Sequence, residues 1–216
     1  MPVPASEIKF SILILSIPSR FDSLKSAITH LQKQADATGQ GKSVEILALL
    51  DNRSKSISEK RNDLLRMARG KYIAFLDDDD AVSKDYMSKI LEAIDTYDVD
   101  CISFNQWCSL DGQSMDVEFG IGNPHGQLWR NDLGMLGDIK RPPYHMCLWR
   151  REIAQSESFN PVYGENGQST EDIDWLIRLY PKIQTEHHID DYLHGYIYNS
   201  KTTTSLVPQE QQFGLI

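Results

Sequence analysis

Lys71-Tyr72-Ile73-Ala74-Phe75-Leu76-Asp77-Asp78-Asp79-Asp80 reads as an apolar strand that ends abruptly in four carboxylates. Strands buried in an α/β sheet are continuous apolar runs, and ligands of such folds bind just beyond the carboxyl ends of the strands. The run therefore sets concentrated negative charge where these folds do chemistry. Adjacent acids repel one another unless a cation is present, and a hard divalent ion such as Mn2+ or Mg2+ suits carboxylates and a substrate diphosphate alike. The plain alternative is an acidic cap on the next helix. That helix has its own start signal in Ser83, with Tyr86, Met87, Ile90, Leu91 and Ile94 at helical spacing behind it.

Outward from this strand the elements alternate. Residues 10–17 read as an apolar strand, 21–33 as a helix with Phe21, Leu24, Ile28 and Leu31 on one stripe, and 44–50 as a second buried strand. Ser56 and Glu59 predict a capping box for a helix that runs to Arg69 and is ended by Gly70. After the acid-tipped strand come a helix over 84–97 and a strand over 99–104. This βαβαβαβ order predicts an α/β fold: a mostly parallel, Rossmann-like sheet with helices on both faces. Residues 111–143 are rich in Gly, Asn, Asp and Pro and predict loops or short mixed strands. Regularity returns with a strand over 144–149, a short helix over 171–180 stopped by Pro181, and a last strand or two over 187–198. The polar stretch 202–216 reads as a weakly ordered tail or a flap.

Without internal repeat or long linker, the 216 residues are expected to form a single domain, 1–216, large enough to bury a core. At 40% hydrophobic and 25% charged residues, the composition is globular rather than disordered. No apolar run approaches the roughly 18 residues of a membrane span, and the N-terminus lacks a basic stretch followed by an apolar core, so no transmembrane segment is expected. Cys101, Cys108 and Cys147 fit neither a paired framework nor a zinc spacing, which points to reduced thiols and a cytoplasmic location. The oligomeric state is not readable. A formal charge of -9 argues against broad nucleic-acid binding, yet Arg53, Lys55, Lys60, Arg61, Arg66, Arg69 and Lys71 form a basic stretch against only Glu59 and Asp63.

A second cluster, Ser169-Thr170-Glu171-Asp172, opens the helix ahead of Asp174, Trp175 and Arg178. Acids at a first turn are favoured by the helix dipole, and Ser169 with Asp172 has the makings of a capping pair. Transfer to a hydroxyl also needs a carboxylate, separate from any metal cluster, to take the proton. Asp172 or Glu171 fits that need.

Taken together, Ser11 to Arg20, Leu50-Asp51-Asn52-Arg53-Ser54, Arg61-Asn62, Gly70 to Asp80, and Glu171-Asp172 with Trp175 and Arg178 resemble the family 2 glycosyltransferases of the GT-A fold. The resemblance implies a nucleotide-sugar-binding half over about 8–104 and a looser acceptor half over about 105–200. It implies that Asp51 contacts the nucleotide base, with Ser16, Pro18, Arg20 and Arg61 also on the donor. Asp77, Asp78 and Asp79, the DXD motif, would hold the ribose and Mn2+ or Mg2+, with Asp79 and Asp77 as metal ligands. Asp172 would be the general base and Glu171 its orienting neighbour. The implied reaction moves a sugar, with inversion, from a nucleoside diphosphate sugar to an acceptor hydroxyl. Where many members carry an Arg and a metal-touching His, Asn199 and Lys201 stand here, and Lys201 is expected on the diphosphate. The first loop, Ser16-Ile17-Pro18-Ser19-Arg20, also departs from the common Pro-Thr-Tyr-Asn form.

On the acceptor side, His145 is placed at a strand start, where it reads as a structural histidine or as an acceptor or phosphate contact, and Trp175, with Trp129 and Trp149, reads first as core or pocket wall, with a ring that could also stack on a sugar or a base. His187 and His188 lack an acid motif at metal spacing and read as structural. The expected acceptor is a surface glycan or lipid-linked sugar, with hydroxymethylated DNA suggested only by the basic stretch. Two other readings compete. Asp77 and Asp79 also fit the spacing of a haloacid-dehalogenase-type phosphatase, although Ala81 stands where that motif has Thr or Val, and a non-catalytic nucleotide-sugar or glycan-binding module would share the binding residues.

Overall fold

The computed structural model describes residues 8–124, 139–164 and 169–198. Lys201, Trp129 and the 202–216 tail lie outside the described residues.

Three parallel strands found the sheet: β1 (Phe10–Ser16), β2 (Val44–Leu50) and β3 (Tyr72–Asp77), in the order β2-β1-β3. Ser16 pairs with Leu50 and Leu15 with Asp77, so the three strands end nearly level and the residues just past them share one rim. β1 and β3 are buried on both faces. Phe10, Ile12, Ile14, Tyr72, Ala74 and Leu76 pack on one side, and Leu13, Ile73 and Phe75 on the other. β2 is only half-buried, contrary to its reading as a buried strand, because it is the sheet's edge with β1 alone beside it.

The first face is covered by α1 (Phe21–Ala37) and α3 (Tyr86–Thr96), the second by α2 (Ile57–Met67), α4 (Arg151–Ala154) and α5 (Glu171–Leu179). Helix α1 buries Leu24, Leu31 and Ala35, whereas Phe21, expected on that stripe, is exposed. The capping box on α2 forms as expected: Glu59 N–H donates to Ser56 Oγ at 3.2 Å, and Ser56 N–H donates to Glu59 Oε2 at 2.8 Å. Ser83 does not cap α3. The Met87 N–H at the helix start donates instead to Gln34 Oε1 of α1, and Ser83 lends its carbonyl to Gln34 Nε2. Likewise Ser169 and Asp172 do not cap α5, since Ser169 Oγ donates to Glu171 and no side chain caps at Thr170.

The second half extends the sheet rather than starting another. β4 (Ala81–Val82), β5 (Cys101–Leu110), β6 (Gln113–Phe119), β7 (Ile139–Arg141), β8 (Leu148–Arg150) and β9 (Glu186–Tyr198) complete it. β8 inserts antiparallel between β3 and β5. The long strands β1, β2, β3, β5 and β9 all run one way, which makes the sheet mostly parallel by extent. The strand expected over 144–149 is shorter and later, because Tyr144 and Cys147 close a turn through Cys147 N–H to Tyr144 O at 3.0 Å. His145 therefore sits in that turn, its carbonyl accepting from Phe75 N–H, and not in a strand.

At the sheet's other end a buried clasp ties β1, β2 and β3 together. Glu45 accepts from Ser11 Oγ at 2.6 Å and from the Arg69 N–H at 2.6 Å, and Gly70 N–H donates to Ser11 Oγ at 2.7 Å. A Cβ on Gly70 would lie 2.5 Å from Ser11 N, so only glycine lets the chain pass.

Candidate active site

The rim above β1, β2 and β3 carries the acids. β3 delivers Asp77, and a tight turn closed by Asp80 N–H to Asp77 O at 3.2 Å folds the run back on itself. Carboxylate oxygens of Asp77, Asp79 and Asp80 lie within 4.8 Å of one another. Asp77 and Asp79 are the ligands expected from the sequence, and Asp80 joins them. Burial pushes the Asp77 carboxyl above its ordinary value and the charge of Asp80 adds to this, while Arg61 and His145 pull against it. Burial disfavours charge on Asp80 too, but the charge and hydrogen bond of His194 and the Asp77 N–H hold it below its ordinary value. A triad of converging hard oxygens fits a divalent cation.

Asp78 points away from the triad into protein. It is 4% exposed, accepts from Ser16 Oγ at 2.5 Å and meets Arg20 Nη2 at 2.7 Å. Burial raises its carboxyl above the usual range despite both partners. The turn Pro18–Arg20 after β1 positions Arg20, whose guanidinium also pairs with Asp79. Burial opposes the charge on Arg20, but Asp79, Asp78 and Asp77 outweigh it and raise its pKa.

Behind the acids lies His194 of β9, fully buried, its Nε2 3.0 Å from Asp80 Oδ2 and its Nδ1 2.9 Å from Gln106 Nε2. The sequence reading missed this residue. Its partner is 114 positions away, and nothing local in the chain signals the pairing.

Across the site, Asp172 lies in the first turn of α5. Tyr144 donates its hydroxyl to Asp172 Oδ2 at 3.0 Å, and His145 Nδ1 stands 3.5 Å from the same oxygen, in ion-pair range but outside hydrogen-bond alignment. Burial favours the neutral acid, yet His145, Arg61 and Tyr144 hold the Asp172 carboxyl well below the usual range. It stays ionised at neutral pH. Glu171 is buried and takes a hydrogen bond from Arg61 Nε at 3.0 Å.

Arg61, expected on the donor, is 5% exposed and lies against the rings of Phe75 and Phe159, 5.0 and 5.5 Å from their centres. This corrects the expectation: Arg61 props the Glu171-Asp172 turn from beneath instead of offering a surface grip. Trp175 is corrected as well. It has no exposed surface, stacks on Phe159 at 4.6 Å and donates from Nε1 to Glu157 O, so it is core and cannot meet an acceptor. Trp149 is core beside it. His187 stacks on Tyr97 and His188 bonds Ser103, both structural as expected.

Asp51, past the end of β2, gathers its own loop. Its carboxylate accepts from Arg53 N–H at 2.9 Å, Ser54 Oγ at 2.9 Å and Lys55 N–H at 3.0 Å, with Lys60 Nζ at 3.2 Å. Burial works against its charge, but these donors hold it well below the usual carboxylate range. The basic stretch is largely neutralised: Lys55 and Arg66 pair with Asp63, Lys60 with Asp51, Arg61 with Glu171, Arg69 with Glu45 and Lys71 with Asp98. That leaves the DNA acceptor without the observation that suggested it.

A separate groove of about 700 Å3 runs between α1 and α3, lined by residues such as His30, Lys33, Gln34, Lys84 and Glu92. It shares no residue with the acid cluster and holds no convergent reactive groups, so the chemistry stays at the rim.

Residues 20–117 match glycosyl transferase family 2. The matched stretch holds the Asp51 loop and the acid run and is a little under half of the chain. No curated protein matches by sequence. Among solved structures, TarS of S. aureus is similar at 14% identity and TM-score 0.54, over 88% of this chain and 37% of TarS. TarS 1-349 in complex with UDP-GlcNAc gives 14% identity and TM-score 0.55, over 89% of this chain and 59% of that one. The UDP complex of TarS 1-349 gives 14% identity and TM-score 0.53, over 89% and 61%. The chain thus shares the GT-A fold of TarS and spans less than two thirds of the length of these neighbours. None of these matches points to the phosphatase reading. Among the described residues no helix is long and apolar enough to cross a membrane.

Proposed function

We propose that this glycosyltransferase moves a sugar, with inversion, from a nucleoside diphosphate sugar to an acceptor hydroxyl, using Asp172 as general base. The carrying observation is that Asp172 stands 3.5 Å from His145, whose backbone carbonyl is hydrogen-bonded to Phe75 on the same strand that delivers Asp77 to the acid triad. A proton acceptor and a diphosphate-metal site within one electrostatic neighbourhood is what such a transfer needs.

Asp77, Asp79 and Asp80 would hold Mn2+ or Mg2+, which when bound supplies positive charge to the leaving diphosphate. Arg20, now paired with Asp78 and Asp79, is freed to grip a phosphate once those acids have another partner. Lys201 remains proposed for the diphosphate. Ser16, Pro18 and the Asp51 loop shape the base and ribose side. Asp172 takes the proton of an acceptor hydroxyl approaching from the α5 side, so attack comes opposite to the leaving group and inverts the anomeric centre. Glu171 and Arg61 hold that carboxylate in place, and His145 and Tyr144 keep it charged. Retention would need a second carboxylate placed as nucleophile. Because TarS of like fold binds UDP-GlcNAc, uridine nucleotides are the first donors to test. The acceptor is proposed to be a glycan or lipid-linked sugar, and the setting cytoplasmic. Calorimetry with UDP, GDP and CDP, with Mn2+ and with chelator, tests the donor half: one nucleotide should bind more tightly with metal, and equal weak binding of all three would argue against it.

A further inference from the structure

Arg53 has a backbone φ of +68°, in the left-handed region that glycine enters freely and a side-chain-bearing residue rarely does. Among the described residues one other non-glycine does this, Asp111, and its reason is local. With Gly112 it makes the two-residue turn between β5 and β6, where both central residues must be left-handed. Arg53 has no such reason to be arginine. The Asp51 carboxylate bends the loop through the Arg53 and Lys55 N–H groups, and glycine would follow that bend at less cost.

A second observation is independent of the first. Of the seven cations between Arg53 and Lys71, six are paired with carboxylates, while exposed Arg53 has no ion-pair partner among the described residues. An exposed planar cation thus sits on a strained backbone at the rim.

Its place decides what it meets. Strands lie about 4.8 Å apart, so the ends of β2 and β3, separated by β1, are about 10 Å apart. An extended nucleoside diphosphate, with a ribose and two phosphates between its ends, is long enough to bridge that gap. With phosphates drawn to the triad at β3, and the β8 side taken by Asp172, His145 and Tyr144, the base falls towards β2. We infer that Arg53 is a base-recognition residue, its guanidinium stacking on the nucleobase or donating to its carbonyl edge. This rests on the proposed nucleotide-sugar site and names a contact within it.

Arg53→Gly relieves the backbone and removes the guanidinium, whereas Arg53→Lys keeps the charge without the planar fork. Titrations of wild type and both variants with UDP, GDP, CDP and inorganic pyrophosphate, all with Mn2+, separate base from phosphate. Expected is an unchanged or raised Tm for Arg53→Gly, about tenfold weaker binding of the preferred nucleotide in both variants, and unchanged pyrophosphate affinity. Equal loss for pyrophosphate, full rescue by lysine, or unaltered nucleotide affinity in Arg53→Gly would each overturn the inference while leaving the donor site standing. A wild type that takes up pyrophosphate but no nucleotide overturns it too. Uptake of neither ligand by the wild type removes the donor site itself.

Discussion

His145 Nδ1 and Asp172 Oδ2 stand 3.5 Å apart, and the His145 side chain is 7% exposed. The His145 carbonyl accepts from Phe75 N–H on β3, two residues before Asp77, so one buried residue links the proposed base to the strand that carries the proposed metal cluster. Replacing His145 with glutamine should let the Asp172 carboxyl rise and lower transfer about tenfold, with the acid limb of the rate profile moving to higher pH. A rate profile of unchanged shape in His145→Gln would mean that the ring only packs.

Asp172→Asn should retain the fold and nucleotide affinity while reducing transfer by about a hundredfold or more, the usual cost of losing a general base. Glu171→Gln should act differently. It weakens a buried ion pair with Arg61 and should cost about 3 kcal/mol of stability with a smaller effect on the chemical step. Denaturant melts beside transfer rates separate the two, and a larger catalytic loss in Glu171→Gln would hand it the base role.

The depressed Asp172 carboxyl also fixes a sign in the pH dependence of stability. Its folded pKa lies below its unfolded value of about 3.9, so its contribution is present above that value and is lost as pH falls through the folded pKa. The stability gap between wild type and Asp172→Asn should therefore be present at about pH 5 and shrink as the pH falls further into acid. A gap that grows below about pH 4 would contradict the assignment.

Metal binding should raise Tm by mass action, since a ligand of the native state stabilises it. Asp79→Asn and Asp80→Asn should each reduce the Mn2+-induced rise, and Asp78→Asn should spare it, because Asp78 faces Ser16 and Arg20 instead of the triad. Equal losses in all three variants would mean that the run binds cations only as diffuse charge.

Much of this was legible in the chain because its signals are local. The apolar run into Asp77 and the Ser56-Glu59 box each lie within a few residues and appear where periodicity and capping put them, whereas the helix expected to run to Arg69 and stop at Gly70 already ends at Met67, and Gly70 serves the close passage by Ser11. Remote pairings were not legible. β8 enters between β3 and β5 through Ile73 to Trp149 and Cys101 to Trp149, contacts that no local spacing encodes. For the same reason His194 was missed behind Asp80, the Gln34 cap displaced Ser83, and the Trp175 ring proved to be core. Asp51 stood out as an acid past a strand, but its service to its own loop depends on a backbone turn that composition does not reveal.

The central claim, that this chain cleaves a nucleoside diphosphate sugar at the rim of β1, β2 and β3, is tested most directly by nucleoside diphosphate release. A panel of UDP-, GDP- and dTDP-sugars is incubated with Mn2+ and the wild type, with Asp79→Asn and chelator as controls. The account predicts release from at least one donor, slow to water and faster with a hydroxyl acceptor, and lost both with chelator and in Asp79→Asn. Tight binding of a donor without release under any acceptor condition, or release that survives in Asp79→Asn, would contradict it.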